Sequence, residues 1–131
     1  MTAIALNLQA VRDRIAAAGL RSRRQPSAVT LVAVTKTFPA SYIEEACAAG
    51  QRIFGESYTQ EGVKKITALA QLPLEWHFIG PIQSNKTRAI AEHYQWVQGI
   101  DREKVAARLA AARRGHLAPL EVCIQVNVSG E

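Results

Sequence analysis

At 131 residues, 48% of them hydrophobic and 21% charged, the chain is long enough to fold as one globular domain with its own core. No run approaches the roughly 18 apolar residues of a membrane span, and Met1-Thr2-Ala3 leads straight into a helical pattern without a secretory leader, so a cytoplasmic protein is expected. The net charge of +5 gathers at Arg21, Arg23 and Arg24 and at Arg113-Arg114; with no RNA-binding signature, no zinc-finger spacing and few interleaved aromatics, it reads as a solvated basic surface without a specific nucleic-acid partner.

Apolar residues at Ile4, Leu8, Val11, Ile15 and Ala18 predict a first helix, capped by Thr2 and stopped at Gly19. A polar loop leads to a strand over Val29–Val34, rich in β-branched residues. Ser41-x-x-Glu44 is a capping-box pattern opening a short helix that ends at Gly50. Further strands are expected at Arg52–Gly55, Leu74–Ile79, Gln95–Gln98 and Leu120–Val128. The intervening helices run from Gln60 to Ala70, from a cap at Ser84 to His93, and from a cap at Asp101 to Gly115. Cys47 and Cys123 match no metal or redox spacing and are expected as buried free thiols.

Five strand–helix alternations with short connections imply parallel strands joined by crossover helices. An open doubly wound sheet and a partial (β/α) barrel both satisfy that pattern. In the fifth strand Val122, Ile124, Val126 and Val128 alternate with Glu121, Cys123, Gln125 and Asn127; in the third, Glu75, His77 and Ile79 oppose Trp76 and Phe78. One apolar and one mixed-polar face favours a barrel, because a central doubly wound strand is apolar on both faces.

Chemistry in either architecture belongs at the C-terminal strand ends. Those ends read Thr35-Lys36-Thr37, Gly55-Glu56-Ser57, Gly80-Pro81, Gln98-Gly99 and Asn127-Val128-Ser129-Gly130. Lys36 shares the alternation phase of Val32 and Val34. Burial beside an apolar strand would lower its pKa from about 10.4 and suit it to imine formation. By spacing alone, a lysine that merely ends a strand and reaches solvent is the favoured reading, since long lysine stems commonly do so.

The segments Leu31-Val-Ala-Val-Thr-Lys36-Thr, Phe54-Gly-Glu-Ser-Tyr-Thr-Gln-Glu61, Trp76-His-Phe-Ile-Gly-Pro-Ile-Gln-Ser-Asn-Lys86, Ile100-Asp101-Arg102 and Gln125-Val-Asn-Val-Ser129 resemble, in order, the motifs of the YggS/PROSC family of pyridoxal phosphate (PLP) homeostasis proteins. The resemblance spans almost the whole chain. It implies the alanine racemase N-terminal barrel, a fold-type III PLP barrel of the (β/α)8 TIM type, of which about five βα units are here. It also implies Lys36 as the lysine holding PLP in a Schiff base, and a role in binding and delivering PLP to PLP-dependent apo-enzymes without an established catalytic reaction. Ser57, His77, Gly80 and Asn127 complete the candidate cofactor set. Each has a plainer reading too: His77 as a bonded interior histidine, Gly80-Pro81 as a turn, Asn127 as a partner for loop backbone. No catalytic residue and no metal ligand is assigned.

Two departures from the family pattern stand out. Gly55-Glu56-Ser57 replaces Gly-Glu-Asn, putting a shorter hydroxyl where an amide is usual. The sequence also stops at Glu131, whereas a full barrel takes eight strands and roughly 250 residues, so residues 1–131 are expected to form a single incomplete barrel domain without its C-terminal strands. Such a piece is expected to self-associate, to pair with a complementary C-terminal fragment or to remain partly molten, and to bind PLP weakly. Two alternatives remain open. A racemase-like PLP enzyme would need acid–base groups on both faces of the substrate, and Tyr42, Tyr58 and Tyr94 are no obvious source of the second. The other is a cofactor-free basic interaction module.

Overall fold

The computed structural model describes residues 1–130. Helix α1 (Ala3–Arg21) opens on Thr2, whose Oγ1 accepts the Ala5 N–H at 3.1 Å, as the sequence predicts. It runs through Gly19 rather than stopping there and closes at Ser22. Next come β1 (Ala33–Val34), α2 (Ala40–Ala48), β2 (Ile53–Glu56), α3 (Thr59–Ala68), β3 (Glu75–Phe78), α4 (Thr87–His93), β4 (Trp96–Ile100), α5 (Glu103–Ala112) and β5 (Glu121–Ile124). Strands β1 and β5 are shorter than the β-branched runs suggest. Each is an edge of the sheet with one neighbour to pair with; residues 29–32 and 126–128 lie outside the ladder, which the Gln125 N–H extends one step past β5 by bonding the Ile100 carbonyl at 2.8 Å.

Strand order decides the architecture. The five strands lie as β1-β2-β3-β4-β5, every adjacent pair parallel, with no reversal of direction across the sheet. A doubly wound sheet reverses its order at a switch point; a barrel wall does not. The chain therefore forms a partial (β/α) barrel wall with its helices on one side. No helix among the described residues is long and apolar enough to cross a membrane.

Register separates the two faces. Ala33, Phe54 and Trp76 are cross-strand partners, as are Phe78, Val97 and Val122. Phe54, Trp76, Phe78 and Val97 pack with Ile43, Ile90, Val105 and Leu109 from the helices in one buried cluster. Each such side chain contributes about 1.5–3 kcal/mol by leaving water. The opposite face carries Val34, Gly55, His77, Trp96 and Glu121 in register. Phe54, which reads as an inward barrel residue beside Val32, Val34 and Ile79, thus lies in the helix-side core, one alternation out of phase with them. The apolar series of β5 does face outward, yet Val122 and Ile124 are exposed, because no helix among the described residues covers them. Cys47 is buried as expected; Cys123, on the uncovered edge strand, is exposed.

Three expected caps are replaced. Helix α2 starts at Ala40 with Pro39 before it, which places Ser41 inside the first turn. Ser84 opens a short 3-10 turn, Ser84–Lys86, and its carbonyl accepts the Thr87 hydroxyl at 2.9 Å; its own side chain caps nothing. Helix α5 is preceded by Arg102, so Asp101 falls one residue too early to cap it and instead accepts from Arg102 Nε at 3.3 Å. Arg113 serves a neighbouring helix end rather than its own: its Nη1 donates to the carbonyls of Ala91 (2.6 Å) and Tyr94 (2.7 Å) at the close of α4.

Candidate functional site

Lys36 lies two residues beyond Val34, and the ladder extends one step past β1 through the Thr35 N–H to the Gly55 carbonyl at 3.0 Å. Lys36 is exposed, without the apolar burial that its strand suggests, and its amine has no hydrogen bond or ion pair with any described residue. Its two neighbours are tightly held. Thr35 is buried, donates its hydroxyl to Glu56 and offers its carbonyl to Lys65 Nζ at 2.7 Å. Thr37 sits at φ 69°, the left-handed region, unusual for a β-branched residue, and its N–H donates to Glu61 Oε1. Such a conformation costs of order 1–3 kcal/mol and persists where its surroundings enforce it.

Those surroundings are a buried charge cluster. Lys65 on α3 donates to Glu56 Oε2 at 3.1 Å, to Glu61 Oε1 at 2.7 Å and to the Thr35 carbonyl, which uses all three ammonium protons. Glu56 is fully buried and Lys65 nearly so. The hydrogen bond from Lys65 holds the Glu61 carboxyl below its ordinary value against the opposing effect of burial, and the Thr37 N–H lowers it further. From the sequence, Glu56 reads equally as a group that orients a neighbour or as a solvated strand-end charge; it is buried on Thr35 and Lys65, while Glu61 and Lys65 carry no role in that reading. Their i,i+4 spacing was the available signal; the convergence of Glu56 and Thr35 on the same ammonium was not legible.

On the inner face, His77 is buried and stacks on Trp96 with ring centroids 5.2 Å apart and an interplanar angle of 5°. Gln98 Nε2 lies 2.9 Å from His77 Nδ1, which assigns the ring proton to Nε2, 3.4 Å from Glu75 Oε2. Trp96 Nε1 donates to the other Glu75 oxygen at 3.2 Å. Burial lowers the His77 pKa, and the Glu75 bond opposes that shift in part. The plainer reading of His77, an interior histidine bonded to its neighbours, is met.

Ser57 and Gly80 are adjacent: a Cβ on Gly80 would stand 2.7 Å from the Ser57 carbonyl oxygen and 3.0 Å from its Cα, so only glycine fits there. Ser57 also lines an open cleft of about 470 Å³ with Tyr58, Glu61, Pro81, Gln83 and Lys86. Asn127 is exposed beyond β5, and its Oδ1 accepts the Gly130 N–H at 2.9 Å, satisfying loop backbone. The structure brings Ser57 and Gly80 together, puts His77 on the inner wall and leaves Asn127 in the loop past the far edge strand. The donor chemistry fits the carbonyl end of an aldehyde cofactor: an unpartnered primary amine just past one strand, with the Ser57 hydroxyl just past the next.

A family model described as alanine racemase, N-terminal domain, matches residues 6–131. The chain belongs to that family. Among curated relatives, the "Pyridoxal phosphate homeostasis protein" of Pseudomonas aeruginosa is 57% identical over 131 residues, and the protein of the same name from Escherichia coli K12 is 55% identical over 134. Both alignments cover 100% of this chain but 57% of the relative, so the chain spans little more than half their length. The solved structure of PipY from Synechococcus elongatus without PLP is similar at a TM-score of 0.74 and 42% identity, over 89% of this chain and 54% of that one. The same protein with PLP bound aligns at 0.65 and 46%, over 78% and 47%.

Proposed function

We propose that this chain binds pyridoxal 5'-phosphate through an imine at Lys36 and serves PLP homeostasis in the cytoplasm, holding the cofactor for PLP-dependent apo-enzymes. The observation that carries this reading is the state of Lys36: an exposed amine with no partner among the described residues, between two anchored neighbours. Lys36 Nζ adds to an aldehyde carbon and gives up two protons as the carbonyl oxygen leaves as water. Bound there, the cofactor supplies the aldehyde and an electron-withdrawing ring. Lys65 is no competitor, since its three protons are engaged. Support comes from the names of the curated relatives and from a PLP-bound structure of PipY. Ser57, Gly80 and His77 are the residues we assign beside the ring, with Asn127 at the outer loop. Residues 1–131 are read as the N-terminal part of one PLP-binding barrel domain.

Turnover of an amino acid is not part of the reading. Glu56 and Glu61 are committed to Lys65, and His77 to Gln98 and Glu75, so none of these three is offered as a second acid–base group. Borohydride reduction of the PLP-treated protein, followed by peptide mapping, is expected to place the pyridoxyl group on Lys36. Label on another lysine in place of Lys36 would overturn the assignment. Solvent deuterium exchange at the α-carbon of alanine is expected to match free PLP; turnover on the order of 1 per second or faster would mark an enzyme.

A further inference from the structure

We propose that Glu61 and Lys65 are positioning residues for Lys36, a role that rests on the reading of Lys36 as the imine-forming lysine. They fix the backbone on both sides of it, one through the Thr37 N–H and the other through the Thr35 carbonyl. The two side chains lie one turn apart on α3 and bond each other at 2.7 Å, so they act as a single bracket spanning the residue between. Without the bracket, Thr37 would relax from its left-handed φ toward the conformations a threonine prefers, and the chain leaving β1 would turn Lys36 another way. Glu56 backs the bracket from β2 by taking Lys65 and the Thr35 hydroxyl together. None of these groups is a catalytic residue. Each acts on Lys36 through the main chain, and the amine itself stays free.

The bracket makes a directional claim about Glu61. Its oxygen acts as an acceptor for the Thr37 N–H, so an amide oxygen in the same place does the same work. The test compares Glu61→Gln, Glu61→Ala and Glu61→Ala with Thr37→Gly against the unaltered chain. Each is exposed briefly to PLP, reduced with borohydride and digested, and the label at Lys36 is divided by the label at Lys64, an exposed lysine outside the bracket. Glu61→Ala is expected to lower that ratio about tenfold, the scale of one left-handed residue released, whereas Glu61→Gln stays within about twofold. Thr37→Gly is expected to restore part of the loss, because glycine holds a positive φ without a clamp. An unchanged ratio in Glu61→Ala, or an equal loss in Glu61→Gln, overturns the proposal. If the unaltered chain labels Lys36 no faster than Lys64, the imine reading itself fails, and the Thr37 amide then judges the bracket. Its hydrogen exchange is expected to quicken in Glu61→Ala and not in Glu61→Gln; equal exchange in both overturns it.

Discussion

The Tyr94 hydroxyl oxygen stands 2.0 Å from the point where a Cβ on Gly62 would be, so the close approach of α3 to the residue ahead of β4 depends on that glycine. Tyr94 is fully buried, edge-on to Phe78 with centroids 5.4 Å apart. Its hydroxyl has no hydrogen-bond partner among the described residues. Burial first, and then the charges of Glu56 and Glu61, push its pKa up, so the phenol stays protonated. Gly62→Ala is expected to destabilise the chain by about 1–3 kcal/mol through overpacking. Tyr94→Phe removes an orphaned polar group and is expected to add about 1 kcal/mol. Because both act at one contact, Gly62→Ala should cost at least about 1 kcal/mol less in the Tyr94→Phe background. Urea unfolding of the four proteins measures this; strictly additive values would refute the shared contact.

The Glu56–Lys65 pair yields a second asymmetry. Lys65→Met leaves a fully buried carboxylate facing Thr35 alone, and a loss of about 3–5 kcal/mol is expected. Adding Glu56→Gln removes the stranded charge and should recover much of that loss. Denaturant midpoints of the single and double variants decide; a double variant no more stable than Lys65→Met alone would contradict it.

His77 gives the chain a pH dependence of definite sign. Its folded pKa lies below the ordinary 6.5, chiefly because it is buried. The stabilisation it represents is complete above the unfolded value and is lost as pH falls through the folded one. Unfolding midpoints measured from about pH 8 down to pH 5 should therefore decline on the acid side. In His77→Phe, which keeps a ring against Trp96 but cannot titrate, that part of the decline should vanish. A decline of equal size in the variant would assign it to other groups.

Isolated residues 1–131 are expected to self-associate. Both edge strands, β1 and β5, are open to a second copy, and Val34, Val122, Ile124 and Val126 are exposed on or beside them. Light scattering should report particles heavier than the 14.3 kDa monomer. Ile124→Lys with Val126→Lys should shift the population toward monomer; a monomeric unaltered chain would count against edge pairing.

Periodicity made the five strands, the helices between them and the lysine at the first strand end legible, because alternation and helical spacing are local properties. The same alternation correctly separated Trp76 and Phe78 from His77. It failed at Phe54, where a single buried aromatic carries no label for which face it fills until the register with Ala33 and Trp76 is known. Caps were misread for a related reason. Ser41, Ser84 and Asp101 have the right chemistry, but a cap needs one particular backbone position, and each helix begins one to three residues away from the expected site. The bracket around Lys36 was the least legible part, since it joins Thr35, Thr37, Glu56, Glu61 and Lys65 from three elements.

The strictly sequential strand order also bears on how the chain is made. Each strand after the first pairs with the one translated just before it, so a polypeptide emerging from the ribosome at roughly 5–20 residues per second can extend the sheet as it appears. The three elements that secure Lys36 all lie within the first 68 residues. The amine's surroundings can thus be assembled on the nascent chain before β3 has emerged from the ribosome.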